Sequence, residues 1–407
     1  MQYVIIGISD APQPQLSAEA VQTVRSGRVF SGGRRHREIM KPLLPEGTQW
    51  IDITTPLDDV FRQYEAVAAT AAPADFIVIF ASGDPLFFGF ANTLLRRWPE
   101  ADVRLFPTFN SLQMLAHRLL MPYDDLRIVS LTGRPWPALD RALIERAPKI
   151  GILTDRNHTP AAIARRLLDY GYTDYDDVAV GEHLGNPERE RISRLSLSET
   201  ASAQFDHPNC LILSARNVQR APFGLPDAEF ATLEGRPGMM TKMPIRLLSL
   251  QAMELPRRSV LWDVGFCTGS VSIEARLQFP HLTIEAFEIR PEGSTLMATN
   301  TRRFGAPGIG IHIGDFFETD VRQLPRPDAV FIGGHGGRLA AMMERISRVL
   351  LPGGCIVMNA VSSESRSTFL AACQPLGLVL QPEMRIAIDS YNPIYILKCV
   401  KPQQILA

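Results

Sequence analysis

Residues 263–275 read DVGFCTGSVSIEA and follow the apolar run Ser259-Val260-Leu261-Trp262. A buried strand that ends in a glycine-bearing turn and then opens an amphipathic helix is a common nucleotide cradle. Asp263 closes the strand, Gly265 and Gly269 allow close backbone approach, and Ser270 starts the helix. Further on, Glu288 closes the strand Thr283–Glu288, where an acidic side chain accepts hydrogen bonds from a ribose diol. A dinucleotide site wants a full G-x-G-x-x-G, so that a pyrophosphate sits on the helix N-terminus. Here the middle glycine is Cys267. A nucleoside with a short amino-acid tail fits better, which favours S-adenosylmethionine over NAD. Cysteine is small enough to present its backbone to such a ligand while the thiol tucks against the helix. A reactive thiol is the alternative, and no histidine or second cysteine stands near it in sequence to support that. Gly314-Asp315 ends the next strand and brings an acidic group towards the adenine amino group.

The rest of the composition narrows the class. A chain of 407 residues exceeds what one hydrophobic core normally serves, so two domains are expected. Charged residues make up 21% and the net charge is −1, which supplies no global attraction for nucleic acid or an anionic membrane. The five cysteines are scattered without a CxxC pair, as free thiols in a reducing compartment are. No cluster has metal-ligand spacing. The N-terminus lacks a basic region before its apolar run, and no apolar stretch approaches the roughly 20 residues that span a bilayer. A cytoplasmic enzyme is expected.

Strand and helix signals alternate along the whole chain. In the first half the strands are Val4–Gly7, Arg28–Phe30, Phe76–Ala81, Val103–Phe106, Arg127–Leu131, Gly151–Leu153, Val178–Val180 and Cys210–Leu213, with helices at Val21–Ser26, Ser111–Leu119 and Pro160–Tyr170. The segment Ala221–Pro237 is rich in Pro, Gly and acidic residues and lacks periodicity, which reads as a linker. A helix, Met243–Met253, then leads into strands at Val260–Asp263, Thr283–Glu288, Gly310–Ile313, Ala329–Ile332 and Cys355–Asn359. That order predicts a mostly parallel, doubly wound sheet. The expected division is 1–216, a linker at 217–237, and 238–407, two α/β domains of unequal design.

The second half resembles a known family. GMMTKMPIR (238–246), WDVGFCTGSVSIEA, NTRRFG, LPRPDAVFIGGHGG and LLPGGCIVMNAV resemble the decarboxylating precorrin methyltransferases of cobalamin synthesis. The resemblance implies a Rossmann-like domain that methylates C-15 of a precorrin and removes the carboxyl of the C-12 acetate. Residue by residue, it implies that Thr241, Gly265, Phe266, Cys267, Thr268, Gly269, Glu288 and Phe316 hold the methyl donor, beside the Asp315 already noted. The family's usual Lys-x-Glu-Val-Arg is Lys242-Met243-Pro244-Ile245-Arg246 here, and His335 stands where serine is common.

In the first half the turn Ser82-Gly83-Asp84-Pro85 follows a buried strand. Glycine frees that backbone and proline fixes it, so the turn can aim backbone groups at a ligand. By itself it also reads as an ordinary strand end. With GGRRH (32–36), SGDPLFFG (82–89), NSLQMLAHRL (110–119), VSLTGR (129–134) and GEHLGNPERE (181–190), it resembles the tetrapyrrole methylases, and among them the C-5 precorrin methyltransferases. The resemblance implies a two-lobed fold with the donor in the cleft, on Gly83, Asp84 and Pro85, with Ser111 and Thr132 beside them. Gly7-Ile8-Ser9-Asp10-Ala11-Pro12 departs from the family's GxGPG loop. Self-association of both halves is a further implication.

A precorrin carries many carboxylates, and arginine binds these bidentately. Arg34, Arg35, His36 and Arg37 form one candidate cluster, whereas Arg165-Arg166, Arg257-Arg258 and Arg302-Arg303 read as solvated faces. His335, in a glycine-rich loop after a strand, reads either as a substrate contact or as a structural turn. Asn359 ends a strand, where such sheets line their clefts. Methyl transfer to carbon demands alignment and exclusion of water more than a strong base, consistent with a chain that shows neither triad nor carboxylate dyad. Two rivals are weaker. An NAD reductase would need the complete glycine fingerprint, and a nucleic-acid methyltransferase would need a basic face with stacking aromatics. Metal-free and cobalt-containing substrates both stay open.

Overall fold

Val4-Ile5-Ile6 and Ile77–Phe80 are apolar on both faces, as strands buried between layers must be. They pair side by side at the centre of a parallel sheet. The computed structural model describes residues 1–407 except 73, 220, 237, 389–391 and 404–407. The first five strands are β1 (Gln2–Ile8), β2 (Val29–Gly32), β3 (Gln49–Asp52), β4 (Phe76–Ser82) and β5 (Asp102–Phe106). They form an all-parallel sheet in the order β3-β2-β4-β1-β5. A second sheet follows, built of β6 (Arg127–Ser130), β7 (Lys149–Leu153), β8 (Asp177–Glu182), β9 (Arg191–Leu195) and β10 (Asn209–Ser214). Its order is β6-β7-β10-β8-β9, parallel only between β6 and β7.

The third sheet holds β11 (Val260–Val264), β12 (Thr283–Glu288), β13 (Ile309–Ile313), β14 (Ala329–Ile332), β15 (Cys355–Ala360), β16 (Val379–Leu380), β17 (Met384–Ile386) and β18 (Ile394–Val400). The order is β13-β12-β11-β14-β15-β18-β16, with β17 also on β18. β11 to β15 run parallel and β18 is antiparallel to β15. The chain therefore reverses direction across the sheet between β11 and β14, and a crevice opens there at the strand C-termini.

The doubly wound reading of the second half thus holds, and so does the two-fold-type α/β reading of the whole. Several elements were not legible in sequence. The edge strand Arg191–Leu195 alternates with arginines, and the strand Gln49–Asp52 is only four residues long. Neither carries enough apolar periodicity to announce itself.

Two compact bodies result. The first comprises Met1–Pro135, Pro148–Arg165 and Asp174–Arg216, and carries the first two sheets. The second comprises Trp136–Ala147, Arg166–Thr173 and Asn217–Ala407. Its two early segments are held by ionic and polar contacts. Asp140, fully buried, takes a bidentate pair from Arg166 at 2.7 Å on both oxygens, and the Tyr172 hydroxyl donates to the Gly305 carbonyl at 2.7 Å. Arg166 is therefore an internal ion-pair partner and not a solvated face.

The aperiodic segment 217–237, apart from positions 220 and 237 that lie outside the described residues, is no free tether. Leu225 and Phe230 are buried in the core with Phe266, Ile273 and Met297. Arg246, with no exposed surface, ties the segment down through the carboxylates of Glu274 (3.2 Å) and Asp227 (3.1 Å). Glu274 in turn accepts from the backbone N–H groups of Gly224 and Leu225 at 3.0 and 2.9 Å. A lack of periodicity marked absent secondary structure, not absent packing.

Candidate functional site

In the first body, loops after β1, β2, β4 and β5 converge with loops from the second sheet around a cleft of about 460 Å³. In the second body a cleft of about 290 Å³ opens at the β11/β14 crevice. Small-molecule sites run from roughly 300 to 1,000 Å³, so both are of that order.

The turn after β4 is held by two close backbone passages. Gly83 N–H donates to the Ile8 carbonyl at 2.9 Å, and the Gly83 carbonyl lies over Gly7, where a Cβ would stand only 1.9 Å from it. Gly83 itself has φ +64°, and its own Cβ would press on the Asn110 backbone at 2.9 Å. Gly83, Ser111 and Thr132 all line the cleft. Asp84 and Pro85 do not: the Asp84 carboxylate accepts from Leu86 N–H at 2.8 Å and shapes the loop that follows. Thr132 hydroxyl donates to the Thr154 carbonyl at 3.0 Å.

The basic cluster separates on folding. Arg34 points to solvent beside Glu38 (3.3 Å) and stands away from the cleft, and Arg37 lies 3.8 Å from Asp52. Arg35 and His36 line the cleft. Arg35 is bound to Asp10 at 2.8 Å and donates to the Ser82 hydroxyl at 2.7 Å. His36 accepts from Gly33 N–H at 3.2 Å on Nδ1, so Nε2 carries the proton and donates to the same hydroxyl at 2.9 Å. Burial, aided by the Arg35 charge, pushes His36 down to about 4, so the ring is neutral at neutral pH. With two donors on its oxygen, Ser82 has its own proton left to donate. Asp10, Ser82 and Asn110 are cleft residues that sequence reasoning missed. Asp10 lies in the N-terminal loop that departs from GxGPG, so no family motif marks it in the sequence.

In the second body Gly265 has φ +79° and packs backbone to backbone on Gly334. Glu288, 3% exposed, takes Cys267 N–H on one oxygen at 2.9 Å and Arg290 N–H on the other at 3.0 Å, and it lines the cleft. The Arg290 guanidinium adds a second bond to that other oxygen at 3.1 Å, so the oxygen facing Cys267 is the one with further lone-pair capacity. Asp315 and Phe316 line it too. Asp315 is held low by Phe317 N–H and by Arg338 at 2.9 Å. Cys267 adopts φ +51°, the conformation a middle glycine would take more easily, and its thiol donates to the Met239 carbonyl at 3.0 Å. Burial and the neighbouring Glu288 push that thiol up, away from the thiolate.

Phe266, Thr268 and Gly269 lie behind the loop rather than in the cleft, and Thr241 serves through its carbonyl, which accepts from Arg246 at 2.9 Å. Phe266 packs in the core and Gly269 turns at φ +75° beside Met297. His335 lines the cleft while its Nδ1 accepts from Gly337 N–H and its Nε2 lies 3.1 Å from the Ser365 hydroxyl, so turn and cleft roles coincide. Burial pulls it down, towards the neutral ring. Asn359 stands outside the cleft lining; its Oδ1 accepts from Ser249 at 3.0 Å and its buried Nδ2 has no partner. Arg290, Gly334 and Arg338 are lining residues that only the fold assembles.

Asp263 lies under this loop, 1% exposed, with one oxygen on the Ser272 hydroxyl at 2.6 Å and the other unpartnered. Burial holds its carboxyl up at about 7, against an ordinary 3.8. A raised folded-state value means stability that is present below the unfolded pKa and lost as pH rises through the folded one. Relative to Asp263→Asn, the wild type should therefore lose stability between about pH 4 and pH 7 and level off above. Urea unfolding at a series of pH values checks this, and a difference that ignores pH would show that Asp263 does not titrate in that window.

Among the described residues no group of three or more His, Cys, Asp or Glu side chains is arranged to hold a metal ion, and no helix is long and apolar enough to cross a membrane. Two unlike α/β clefts, each floored by strand ends and glycine turns, are of the kind in which α/β enzymes bind small molecules. Residues 4–201 match the tetrapyrrole (corrin/porphyrin) methylases and residues 235–406 the precorrin methyltransferase domain. Over 391 residues the chain is 30% identical to a precorrin-6Y C(5,15)-methyltransferase (decarboxylating) of Sinorhizobium sp, covering 96% of this chain and 91% of the other. A 183-residue stretch, 42% of this chain, is 36% identical to the cobalt-precorrin-6B C(15)-methyltransferase (decarboxylating) of Salmonella typhimurium and covers 94% of it. A crystal structure of a precorrin-6y C5,15-methyltransferase from Geobacter metallireducens aligns with 45% of this chain and 100% of its own, at 30% identity and TM-score 0.41. The chain belongs to the precorrin-6Y C(5,15)-methyltransferase (decarboxylating) family, whose two halves are the two methyltransferase folds seen here.

Proposed function

We propose that the chain methylates a precorrin-type tetrapyrrole at C-5 in its first body and at C-15 in its second, where the C-12 acetate also loses its carboxyl. The observation that carries this is the presence of two separate clefts, each with its own glycine turn at the C-terminal ends of parallel strands. S-adenosylmethionine, when bound, supplies an electrophilic methyl on sulfur. The second cleft suits it: Gly265 brings backbone to the ligand, Glu288 faces a ribose diol, and Phe316 and Asp315 face an adenine. The first cleft suits it through Gly83, Ser111 and Thr132, with the Ser82 hydroxyl as a further donor. The two glycine turns let loops of the cleft floor pack backbone to backbone, Gly265 on Gly334 and Gly83 on Asn110, where any side chain would intrude.

The protein's part in both reactions is alignment and exclusion of water. His36 and His335 are neutral hydrogen-bonding groups and not cations. In the second body His335 and Arg338 line the cleft, and Arg338, with guanidinium N–H groups beyond the one on Asp315, orients the macrocycle's carboxylates while its ring system accepts the electrons released with carbon dioxide. Self-association is part of this proposal on family grounds.

Isothermal calorimetry with S-adenosylhomocysteine is expected to give two sites per chain. Incubation of a precorrin-6 substrate with the methyl donor is expected to give a product with two added methyls and one carbon dioxide fewer. A single binding site in a fully folded protein, or a product with no loss of carbon dioxide, would sink the two-cleft assignment.

A further inference from the structure

The loop after the first body's glycine turn displays an aromatic ring at a backbone cost. Phe88 has φ +55°, a strained conformation that a bulky side chain rarely adopts. Its neighbour Phe87 turns inward to the core of the second sheet, and Phe88 turns outward, 44% exposed, with the two rings edge to face at 5.2 Å. Leu86 and Phe109 are exposed with it. The strain is held by the turn itself. Asp84 receives Leu86 N–H on its side chain and Phe87 N–H on its carbonyl, and Gly89 closes so tightly on Pro85 that a Cβ would stand 2.4 Å from its carbonyl.

Phe88 lines the main cleft and also a contiguous bay of about 480 Å³ with Asn92, Thr93, Arg96 and Arg134. The Arg134 guanidinium lies 5.3 Å from the Phe88 ring centroid. Its hydrogen bonds go to the Ser130 hydroxyl and the Thr132 carbonyl, and those of Arg96 go to the Asn92 carbonyl and the Thr93 hydroxyl. Among the described residues neither has a carboxylate partner. Nearby Asp155 is occupied by the N–H groups of Gly133, Asn157 and His158. The cluster 34–37 is the opposite case, since Arg34, Arg35 and Arg37 are each matched to an acid. Two unmatched arginines flanking an exposed ring, on the rim of a donor cleft, complement a flat apolar ligand with anionic substituents.

We infer that Phe88, Arg96 and Arg134 form the platform that receives the tetrapyrrole for C-5 methylation, the ring of Phe88 lying against the macrocycle and the two arginines taking its peripheral carboxylates. This rests on the reading that the first body methylates a precorrin. It assigns substrate recognition to a bay that the basic cluster 34–37 does not reach.

The test compares the full-length protein with Phe88→Gly and with the double variant Arg96→Gln/Arg134→Gln. Initial rates of C-5 methylation are measured against precorrin and against methyl donor, with C-15 methylation in the same tube as the internal control. The double variant is expected to raise KM for the precorrin by about tenfold or more and to flatten its dependence on salt, since two screened charge contacts are lost. Phe88→Gly is expected to raise the same KM severalfold. Its melting temperature should not fall, because glycine adopts φ +55° without strain. KM for the precorrin should rise more than KM for the methyl donor in both, and the C-15 rate should stay within about twofold.

Unchanged KM for the precorrin in either variant overturns the inference, as does a Phe88→Gly protein that melts lower yet binds normally. Binding of uroporphyrin III, a stable polycarboxylate macrocycle, is followed in parallel by fluorescence. If the wild type forms no C-5 product but the variants still weaken uroporphyrin binding, the function reading fails and the platform stands. Equal uroporphyrin binding in all three proteins removes the platform.

Discussion

Gly265→Val should abolish C-15 methylation and the loss of carbon dioxide, by a hundredfold or more, while C-5 methylation persists. Two independent effects act at that position. The residue has φ +79°, and the left-handed region costs a residue with a Cβ roughly 1–2 kcal/mol, most of all a β-branched one. A Cβ there would also stand 2.5 Å from Gly334 N and 2.7 Å from its carbonyl oxygen, and backbone cannot swing aside as a side-chain end can. The loop Gly265–Gly269 must therefore move, and with it Cys267 N–H, which holds Glu288 in the cleft. The first body keeps its own turn at Gly83. Product mass decides: one methyl gained without loss of carbon dioxide is the expected outcome. Loss of both reactions in a protein that remains folded would mean that the two halves share one active site.

Arg246→Met should lower stability by about 3–5 kcal/mol, the usual cost of removing one partner from a buried ion pair. Arg246 and Glu274 have no exposed surface, and methionine fills the space without neutralising the carboxylate. The segment through Leu225 loses its guanidinium contact at the Leu225 carbonyl and the ion pair at Asp227. Urea unfolding followed by tryptophan fluorescence measures the change; Trp262 lies in the core of this body. Arg246→Lys should recover little, because an ammonium cannot reach Glu274, Asp227 and two carbonyls from one planar fork. A loss under 1 kcal/mol for Arg246→Met would show that the segment is held by apolar contacts alone.

Much of this molecule was legible in the linear chain wherever the chemistry is local. DVGFCTG announces a strand, a turn and a helix within a dozen residues, and the structure keeps β11, the αL turn at Gly265 and the helix Ser270–Gln278 in that order. SGDP likewise marks its turn, because φ-permissive glycine and φ-fixed proline act through their immediate neighbours. Even the placement of Glu288 follows from counting one strand onward. These features, and the family motifs around them, came from the sequence alone.

What the chain could not reveal was which polar groups remain available once distant partners arrive. Arg34, Arg35 and Arg37 look like a carboxylate site in sequence, yet folding gives Arg35 to Asp10, twenty-five residues away, while the bonds of Arg96 and Arg134 go to neutral groups. Asp84 looked like a ligand contact and became the brace of a loop that pushes Phe88 into solvent at φ +55°. The aperiodic segment after Asn217 looked like a tether and became core, because Arg246 and Glu274 supply from far along the chain the hydrogen bonds that its own backbone lacks. Local backbone preference is encoded residue by residue. Charge compensation and burial are pairwise properties of residues far apart in the chain, and only the tertiary structure decides them.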